Sequence, residues 1–265
     1  MAITSRDGLL AATKQRVPLQ RTATRTSVAA QWFSVFDLAG NPGAGTLAGS
    51  NTANGIIPVA GNNGYPPLNA FGVGATGYLS KVDFGSTVAC RIALYDRLWV
   101  GGAYAFNAAQ AVSSPSWASR CTFDGVVDYK GTEIWVEQVT VATGNQAVNV
   151  SYLDHGGAAG STGAVGIAAA PTVGRCWQLP FAPGDCGVSA ITNVAGSVAS
   201  AGTFNVMVLR PLWEARIKVA NDGDIHDYLK TGMPEVFQDS ALYKLIAADS
   251  TSTGVPELSL QIANG

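Results

Sequence analysis

The chain has 265 residues, of which 47% are hydrophobic and only 13% are charged, against about 25% charged in an average soluble domain. Its net charge of −2 gives no reason to expect binding to nucleic acid or to an anionic membrane. With only two histidines, His155 and His226, the chain has few groups for acid–base, nucleophilic or metal chemistry. The composition therefore favours a β-scaffold over an enzyme.

Residues 1–31 form a distinct basic segment. Ser5 is expected to cap a short helix, and a Thr-rich stretch follows it. The segment carries one acid, Asp7, and a set of basic residues that are candidates for partner binding: Arg6, Lys14, Arg16, Arg21 and Arg25. It is predicted either to be an extended arm that docks on an acidic partner or to be an ordinary solvated terminus. The apolar run of a signal peptide is lacking, so synthesis in the cytoplasm is expected.

Alternating apolar residues predict strands over 31–38 and 87–99 and a hairpin over 133–153, with a bulge near Glu137. Two long Gly-rich loops are predicted, over 39–77 and 154–174. Loops of such length are uncommon in compact domains and usually have a function.

In the last third of the chain, residues 188–194 and 203–209 are predicted to form a second antiparallel pair. Pro211 follows, and then a half-buried strand over 213–219. One helix is predicted over 237–248, because its apolar residues fall on one stripe. A last strand runs over 258–262.

These elements predict a mainly β fold, an antiparallel β-sandwich or jelly-roll-like domain over 32–265. It carries long Gly-rich loops, a short N-terminal arm (1–31) and one or two short helices. No alternation of strands and helices suggests a parallel sheet.

The four cysteines, Cys90, Cys121, Cys176 and Cys186, show no CxxC pairing. Cys176 and Cys186 flank a Pro-rich turn and could reach each other. Because no export signal is visible, reduced thiols are favoured, although the pairing of these two stays open.

Three polar motifs have a simpler explanation than a functional site. The sequence GVGATG at 72–77 matches GxGxxG, but it follows two prolines rather than a strand, so loop glycines explain it. The acids of 221–227 could offer oxygen ligands to Ca²⁺, but their spacing is not that of an EF-hand, and an Asx-rich turn explains them. Asp154, His155 and Ser161 lie in a Gly-rich loop without a GxSxG elbow. No catalytic, cofactor-binding or metal-binding residue is therefore predicted.

Six tryptophans are spread over the chain, and carbohydrate-binding modules present such residues on a flat face. Trp135 and Trp213 alternate within predicted strands and are expected in the core. Glycan binding stays an alternative.

Several passages resemble a family of tailed-bacteriophage virion proteins associated with the capsid shell. They are TSVAAQWFSVFDLAGNPGAGTLA (26–48), VNVSYLDHGGAAG (148–160), LPFAPGDCGVSAITNV (179–194) and FNVMVLRPL (204–212). The family pattern VSYTNQ is kept at Ser151 and Tyr152, after which this chain departs from it. The LP…GD.GV pattern is closer, at 179–180, 184–185 and 187–188. The resemblance is scattered over most of the chain and transfers no site residue.

The resemblance implies a β-rich, non-enzymatic structural protein of a bacteriophage head, which binds and stabilises the capsid shell as a cement, decoration or other capsid subunit. Its expected partners are the major capsid protein and neighbouring copies of itself, as a homo-oligomer for which a trimer is plausible. Neither nucleic acid nor a membrane is expected as a partner, and no cofactor is. The expected location is the virion, after synthesis in the host bacterial cytoplasm. The alternative is a tail, fibre or glycan-binding appendage protein of the virion.

A low charge and uncharged Gly-rich loops suit such contacts, since interface cores are depleted in charge. The basic arm and the loops 39–77 and 154–174 are expected to make the contacts with the capsid shell. Deletion of residues 2–25 is expected to leave the fold intact and to weaken shell binding.

Overall fold

Antiparallel β-strands dominate the regular structure, which confirms the predicted mainly β fold. A computed structural model describes residues 3–167, 172–196 and 201–265. Its helices are α1 (Arg6–Ala11), α2 (Tyr228–Thr231) and a 3₁₀ turn (Ala118–Arg120). Neither α-helix of these described ranges is long and apolar enough to cross a membrane. The strands are β1 (Thr13–Arg21), β2 (Trp32–Ser34), β3 (Gly40–Asn41), β4 (Gly77–Ser86), β5 (Cys90–Ala105), β6 (Ala109–Ala111), β7 (Thr122–Phe123), β8 (Val126–Val127), β9 (Glu133–Thr140), β10 (Gln146–Asp154), β11 (Ala159–Ser161), β12 (Val165–Ile167), β13 (Arg175–Leu179), β14 (Val188–Gly196), β15 (Thr203–Ile217), β16 (Asp222–His226), β17 (Glu235–Val236), β18 (Leu242–Ala248) and β19 (Pro256–Asn264).

The chain divides into two compact units. Unit 1 comprises Met1–Thr46, Val59–Asp96 and Leu212–Gly265, and unit 2 comprises Leu47–Pro58 and Arg97–Pro211. The predicted boundary between residues 31 and 32 falls inside unit 1. The predicted loop 39–77 contributes to both units; after β3 it has no further strand or helix before Gly77, only an isolated bridge at Ile56.

Unit 1 is built around an antiparallel sheet in the order β16-β4-β19-β1-β3, with β17 also paired to β4. Alternate residues of β1 and β19 are buried, because one face of the sheet covers the core and the other faces outward. In the same unit, β18 pairs with β2 and with the first half of β5. The core side chains of this unit include Val17, Val82, Phe84, Ile92, Ile246, Leu258 and Leu260.

Within the described residues, unit 2 contains three further antiparallel arrangements, of which the smallest is the β7–β8 pair. One sheet has the order β11-β10-β14-β6, with β12 also paired to β10. In another, β9 pairs with β13 on one side and with the first half of β15 on the other. Large aromatic side chains fill the core of this unit, among them Trp99, Phe106, Trp117 and Phe204.

The N-terminal segment is part of a sheet. Strand β1 lies between β19 and β3, and its Val17 and Leu19 are buried in the core of unit 1. Deletion of residues 2–25 would remove this strand from between β19 and β3, so we now expect the deletion to destabilise unit 1 rather than to leave the fold intact. The predicted short helix is present as α1, and the Oγ of Ser5 accepts a hydrogen bond from the N–H of Gly8 at 3.0 Å.

The helix predicted over 237–248 is wrong, since residues 242–248 form β18. All seven residues of β18 are buried, so both faces of this strand are covered, while β2 and β5 pair with its two edges. A strand of this kind shows a continuous apolar run rather than alternation, and such a run also fits a helical stripe. The carboxylate of Asp96 fixes the start of the strand by accepting hydrogen bonds from Ser240 Oγ (2.8 Å) and Ala241 N (3.0 Å).

The strands predicted as neighbours in the second half of the chain pair with other strands. Strand β9 pairs with β13 and β15, and β10 pairs with β11, β12 and β14, so residues 133–153 are not one hairpin. Strands β14 and β15 likewise belong to different arrangements, and β15 continues through Pro211. The predicted bulge is present close to Glu137, where the register of β9 against β15 shifts between Gln138 and Thr140. Strands β11 and β12 lie within the predicted loop 154–174, of which residues 168–171 lie outside the described residues.

Candidate interaction surface

The basic residues of the first 31 positions separate into two groups. Arg6, Lys14 and Arg16 are exposed and lie along one face of unit 1. Arg21 is buried and Arg25 is partly buried, and both are held by contacts within the unit. The binding of a partner by these five residues stays a prediction, and only the first group has the exposure that such binding needs.

A surface pocket of about 270 Å³, here called the basic groove, lies between α1 and the outer face of the sheet of unit 1. Its basic side chains are Arg6, Lys14 and Lys81, and its apolar side chains are Leu9 and Leu10. The side chain of Leu10 is 65% exposed, although Leu10 lies in the short amphipathic helix α1, next to the core of unit 1. The remaining lining residues are Ser80, Asp227, Tyr228 and Gln261.

Local contacts hold the groove in shape. The Nζ of Lys14 donates hydrogen bonds to the carbonyl oxygens of Leu10 (3.0 Å) and Ala12 (3.1 Å), at the end of α1. The carboxylate of Asp227 accepts from the N–H groups of Leu229 and Lys230 and so caps α2. The groove therefore combines apolar surface with positive charge, and its one carboxylate is already engaged.

A second pocket of about 240 Å³ shares Lys81 and Gln261 with the basic groove and adds Arg16, Asp83 and Ser259. The register explains this continuity, since Arg16 and Lys81 lie opposite Gln261 on its two sides. The Nε of Arg16 donates to the Oγ of Ser259 at 2.5 Å, which holds the guanidinium over the sheet. The exposed face of the sheet thus extends the groove as a polar platform.

Arg21 and Arg25 point into unit 1. The Nη1 of Arg21 donates to the carbonyl oxygen of Pro42 at 2.6 Å, and burial lowers the pKa of Arg21 although Asp37 opposes the shift. The guanidinium of Arg25 forms an ion pair with the carboxylate of Asp37. These two arginines fasten the start of the chain to neighbouring loops.

Sequence reasoning missed Lys81, which is central to both pockets. Lys81 and Asp83 alternate with the buried Val82 and Phe84, a period-2 pattern that predicts an outward-facing pair on a strand. Sequence alone does not show that Lys81 meets Arg16, because the connection passes through β19, far along the chain.

The other polar motifs do not form sites. Residues 72–76 precede β4 as a turn and loop, so the GxGxxG match lacks the strand and helix that a dinucleotide needs. Residues 222–226 form β16, paired with β4, where the sequence predicts an Asx-rich turn. The Nε1 of Trp213 donates to Nδ1 of His226 at 2.9 Å, and partial burial lowers the pKa of His226. Within the described ranges, no group of three His, Cys, Asp or Glu side chains is placed to hold a metal ion.

Asp154, His155 and Ser161 serve different local contacts. The Oδ1 of Asp154 accepts from the N–H groups of Gly156 and Ala158, which closes a turn. The Oγ of Ser161 donates to the Oδ1 of Asn149 at 2.8 Å. The ring of His155 instead contacts the Sγ of Cys186, 3.6 Å from Nδ1. All four cysteines are free thiols, and Cys186 alone among them is exposed.

The tryptophans do not form a flat exposed face. Trp99, Trp117, Trp135 and Trp213 are buried, as predicted for Trp135 and Trp213. The half-buried Trp32 and Trp177 are each covered by a guanidinium 5.0 Å from the ring centroid, from Arg91 and Arg175 respectively.

Comparison with known proteins yields no family. No family model matches the chain, and no curated protein does. A structure of infectious bursal disease virus, Gx strain, matches with 10% identity and a TM-score of 0.17, over 96% of this chain and 80% of that chain. The VP2 subviral particle of the same virus matches over the same shares with 10% identity and a TM-score of 0.19. TM-scores this low do not establish a common fold, so fold and function rest on the residues of this chain.

Proposed function

We propose that the chain is a non-enzymatic structural subunit of a bacteriophage head, which binds and stabilises the capsid shell. The observation that carries the proposal is a contact between two of the passages that resemble phage virion proteins. The hydroxyl of Tyr152 donates to the Oδ2 of Asp185 at 2.7 Å and accepts from the N–H of Ala182 at 2.8 Å. Tyr152 and Asp185 are both positions at which the resemblance holds.

This contact is structural. Tyr152 is fully buried, and burial raises its pKa to about 12, so the phenol stays protonated at neutral pH. The same two passages supply β10 and β14, whose residues Val150 and Val194 lie opposite each other. Residues that resemble the family therefore hold strands and a loop together, which fits a role in assembly rather than in catalysis.

The test is the copy number of the protein in purified virions, by quantitative mass spectrometry against the major capsid protein. A fixed large fraction of the number of capsid subunits is expected for a shell component. A dozen copies or fewer would contradict the shell role and favour the alternative of a tail, fibre or other appendage protein. Absence from the particles would overturn the structural proposal altogether.

A further inference from the structure

Unit 2 carries an exposed hairpin, β7–β8, that plays no part in the proposed function. Its strands are joined by Asp124 and Gly125, whose φ angles of 49° and 80° are those of a type I′ turn. The residues from Asp124 to Asp128 are all exposed. Val126 is 66% and Val127 46% exposed, which is unusual for two consecutive β-branched apolar residues.

The hairpin combines this apolar surface with negative charge. Asp124 and Asp128 flank the two valines, and the N–H of Asp128 donates to the carbonyl oxygen of Cys121 at 2.7 Å. The Oδ1 of Asp128 accepts from the N–H of Lys130 at 2.9 Å, which fixes the carboxylate. The hairpin is thus an acidic and apolar projection of defined conformation.

We propose that this hairpin of one copy of the chain binds in the basic groove of a second copy. The charge of the groove is opposite to that of the hairpin, because its cations Arg6, Lys14 and Lys81 lie beside exposed apolar surface at Leu10. Opposite charges around an apolar centre favour association and fix its register. Of the described basic residues of unit 2, Arg97, Arg120 and Arg210 are buried and Arg175 is half-buried, so Lys130 is its one exposed cation.

The contact joins two different surfaces, so it is heterologous and can link copies into rings or extended arrays. A hairpin and one groove bury little area, and such contacts are weak in solution. They gain strength when both copies are held on one shell, because each further contact is then intramolecular. The inference rests on the proposed function only for this last step.

The test uses the full-length purified chain and sedimentation velocity over a concentration series. The unmodified chain is expected to self-associate, and less so at high ionic strength, where surface charges are screened. A groove variant (Arg6→Glu with Lys81→Glu) and a hairpin variant (Asp124→Asn with Asp128→Lys) are each expected to associate more weakly by about tenfold. Asn replaces Asp124 because it tolerates the left-handed conformation of the turn.

Mixing the two variants is the decisive measurement. In the mixture, the unmodified hairpin of the groove variant can bind the unmodified groove of the hairpin variant, and the reversed groove faces the reversed hairpin. Association is therefore expected to return in the mixture. Lys218→Glu, an exposed change elsewhere on unit 1, serves as the matched control and is expected to have no effect. An unmodified chain that stays monomeric at the highest concentration of the series, or a mixture that stays monomeric there, would overturn the hairpin-in-groove contact. Either result leaves the copy number in virions unaffected, so the two proposals fail separately.

Discussion

Although the chain has few charged residues, some of them are buried in its interior. Arg97 and Glu137 form an ion pair in unit 2, with Nη2 and Oε2 at 3.2 Å and side-chain exposures of 2% and 0%. The Nδ2 of Asn205 donates to the same Oε2 at 2.7 Å and also to the carbonyl oxygen of Leu47. The carboxylate therefore joins two strands and the loop at Leu47.

At this scale we predict that Glu137→Ala lowers the free energy of unfolding by about 3–5 kcal/mol, because it leaves a guanidinium buried without this carboxylate. Glu214→Ala is the matched control, since Glu214 pairs with Arg91 in a bridge whose side chains are 45% and 49% exposed. The control is expected to cost about 1 kcal/mol or less. Urea denaturation of both variants measures the difference, and equal losses would contradict the role given to burial.

At the scale of elements, the sequence predicts the β class but not every partner strand. The outward and inward residues of 213–217 and 258–262 can be predicted from the sequence because one face of each strand is exposed. The prediction fails at Val219, which lies beyond the end of β15 and is 62% exposed. Strand β18 has the sequence pattern of a helix because both its sides are covered, and even Lys244 is buried there, with its Nζ donating to the carbonyl oxygens of Leu19 and Pro256. The Asp124-Gly125 dipeptide between apolar residues is a local signal for the β7–β8 hairpin, which the sequence predictions above do not include.

The pairing of strands that lie far apart in the chain is harder to predict from the sequence. Arg16, Lys81 and Gln261 become neighbours only through the order β4-β19-β1, which no local pattern encodes. The candidate surface could therefore be predicted in its N-terminal basic residues, but not in the lysine that joins its two pockets.

The loop over 39–77 is fixed at Gly55, which has a φ of 67°. A Cβ there would lie 2.4 Å from the indole of Trp99, whose Nε1 donates to the carbonyl oxygen of Asn54. We predict that Gly55→Ala costs about 1–2 kcal/mol for the left-handed conformation and about 1–3 kcal/mol more for overpacking.

Gly74→Ala is the control for this loop, because Gly74 has a φ of 69° and open space around its Cβ position. Gly74→Ala is therefore expected to cost only the contribution of about 1–2 kcal/mol for the left-handed conformation. Thermal unfolding of the two variants separates the contributions, and a Gly55→Ala variant no less stable than Gly74→Ala would count against packing on Trp99.

At the scale of the whole molecule, the reactivity of the four thiols can measure the opening of both units. Cys186 is exposed, Cys90 is buried in unit 1, and Cys121 and Cys176 are buried in unit 2. We predict that one thiol per chain reacts rapidly with a thiol reagent under native conditions, and that the other three react only as their unit opens. Burial also raises the pKa of Cys90, which lowers its thiolate fraction further.

Mass spectrometry of the labelled peptides against time measures these rates. Cys186→Ser is expected to remove the rapid phase and leave the slow ones unchanged. Rapid labelling of Cys121 or Cys176 in the native protein would contradict the closed core of unit 2.

The position of β19 in the sheet of unit 1 has a consequence for biosynthesis. Its residues pair with strands made much earlier, since Gln261 is 181 positions from Ser80 and Ser259 is 243 positions from Arg16. Until residues 256–264 leave the ribosome, β4 and β1 have no strand between them, and the groove residues that they carry remain apart. A nascent chain therefore lacks the surface to which another copy would bind, which delays association until translation has passed this strand.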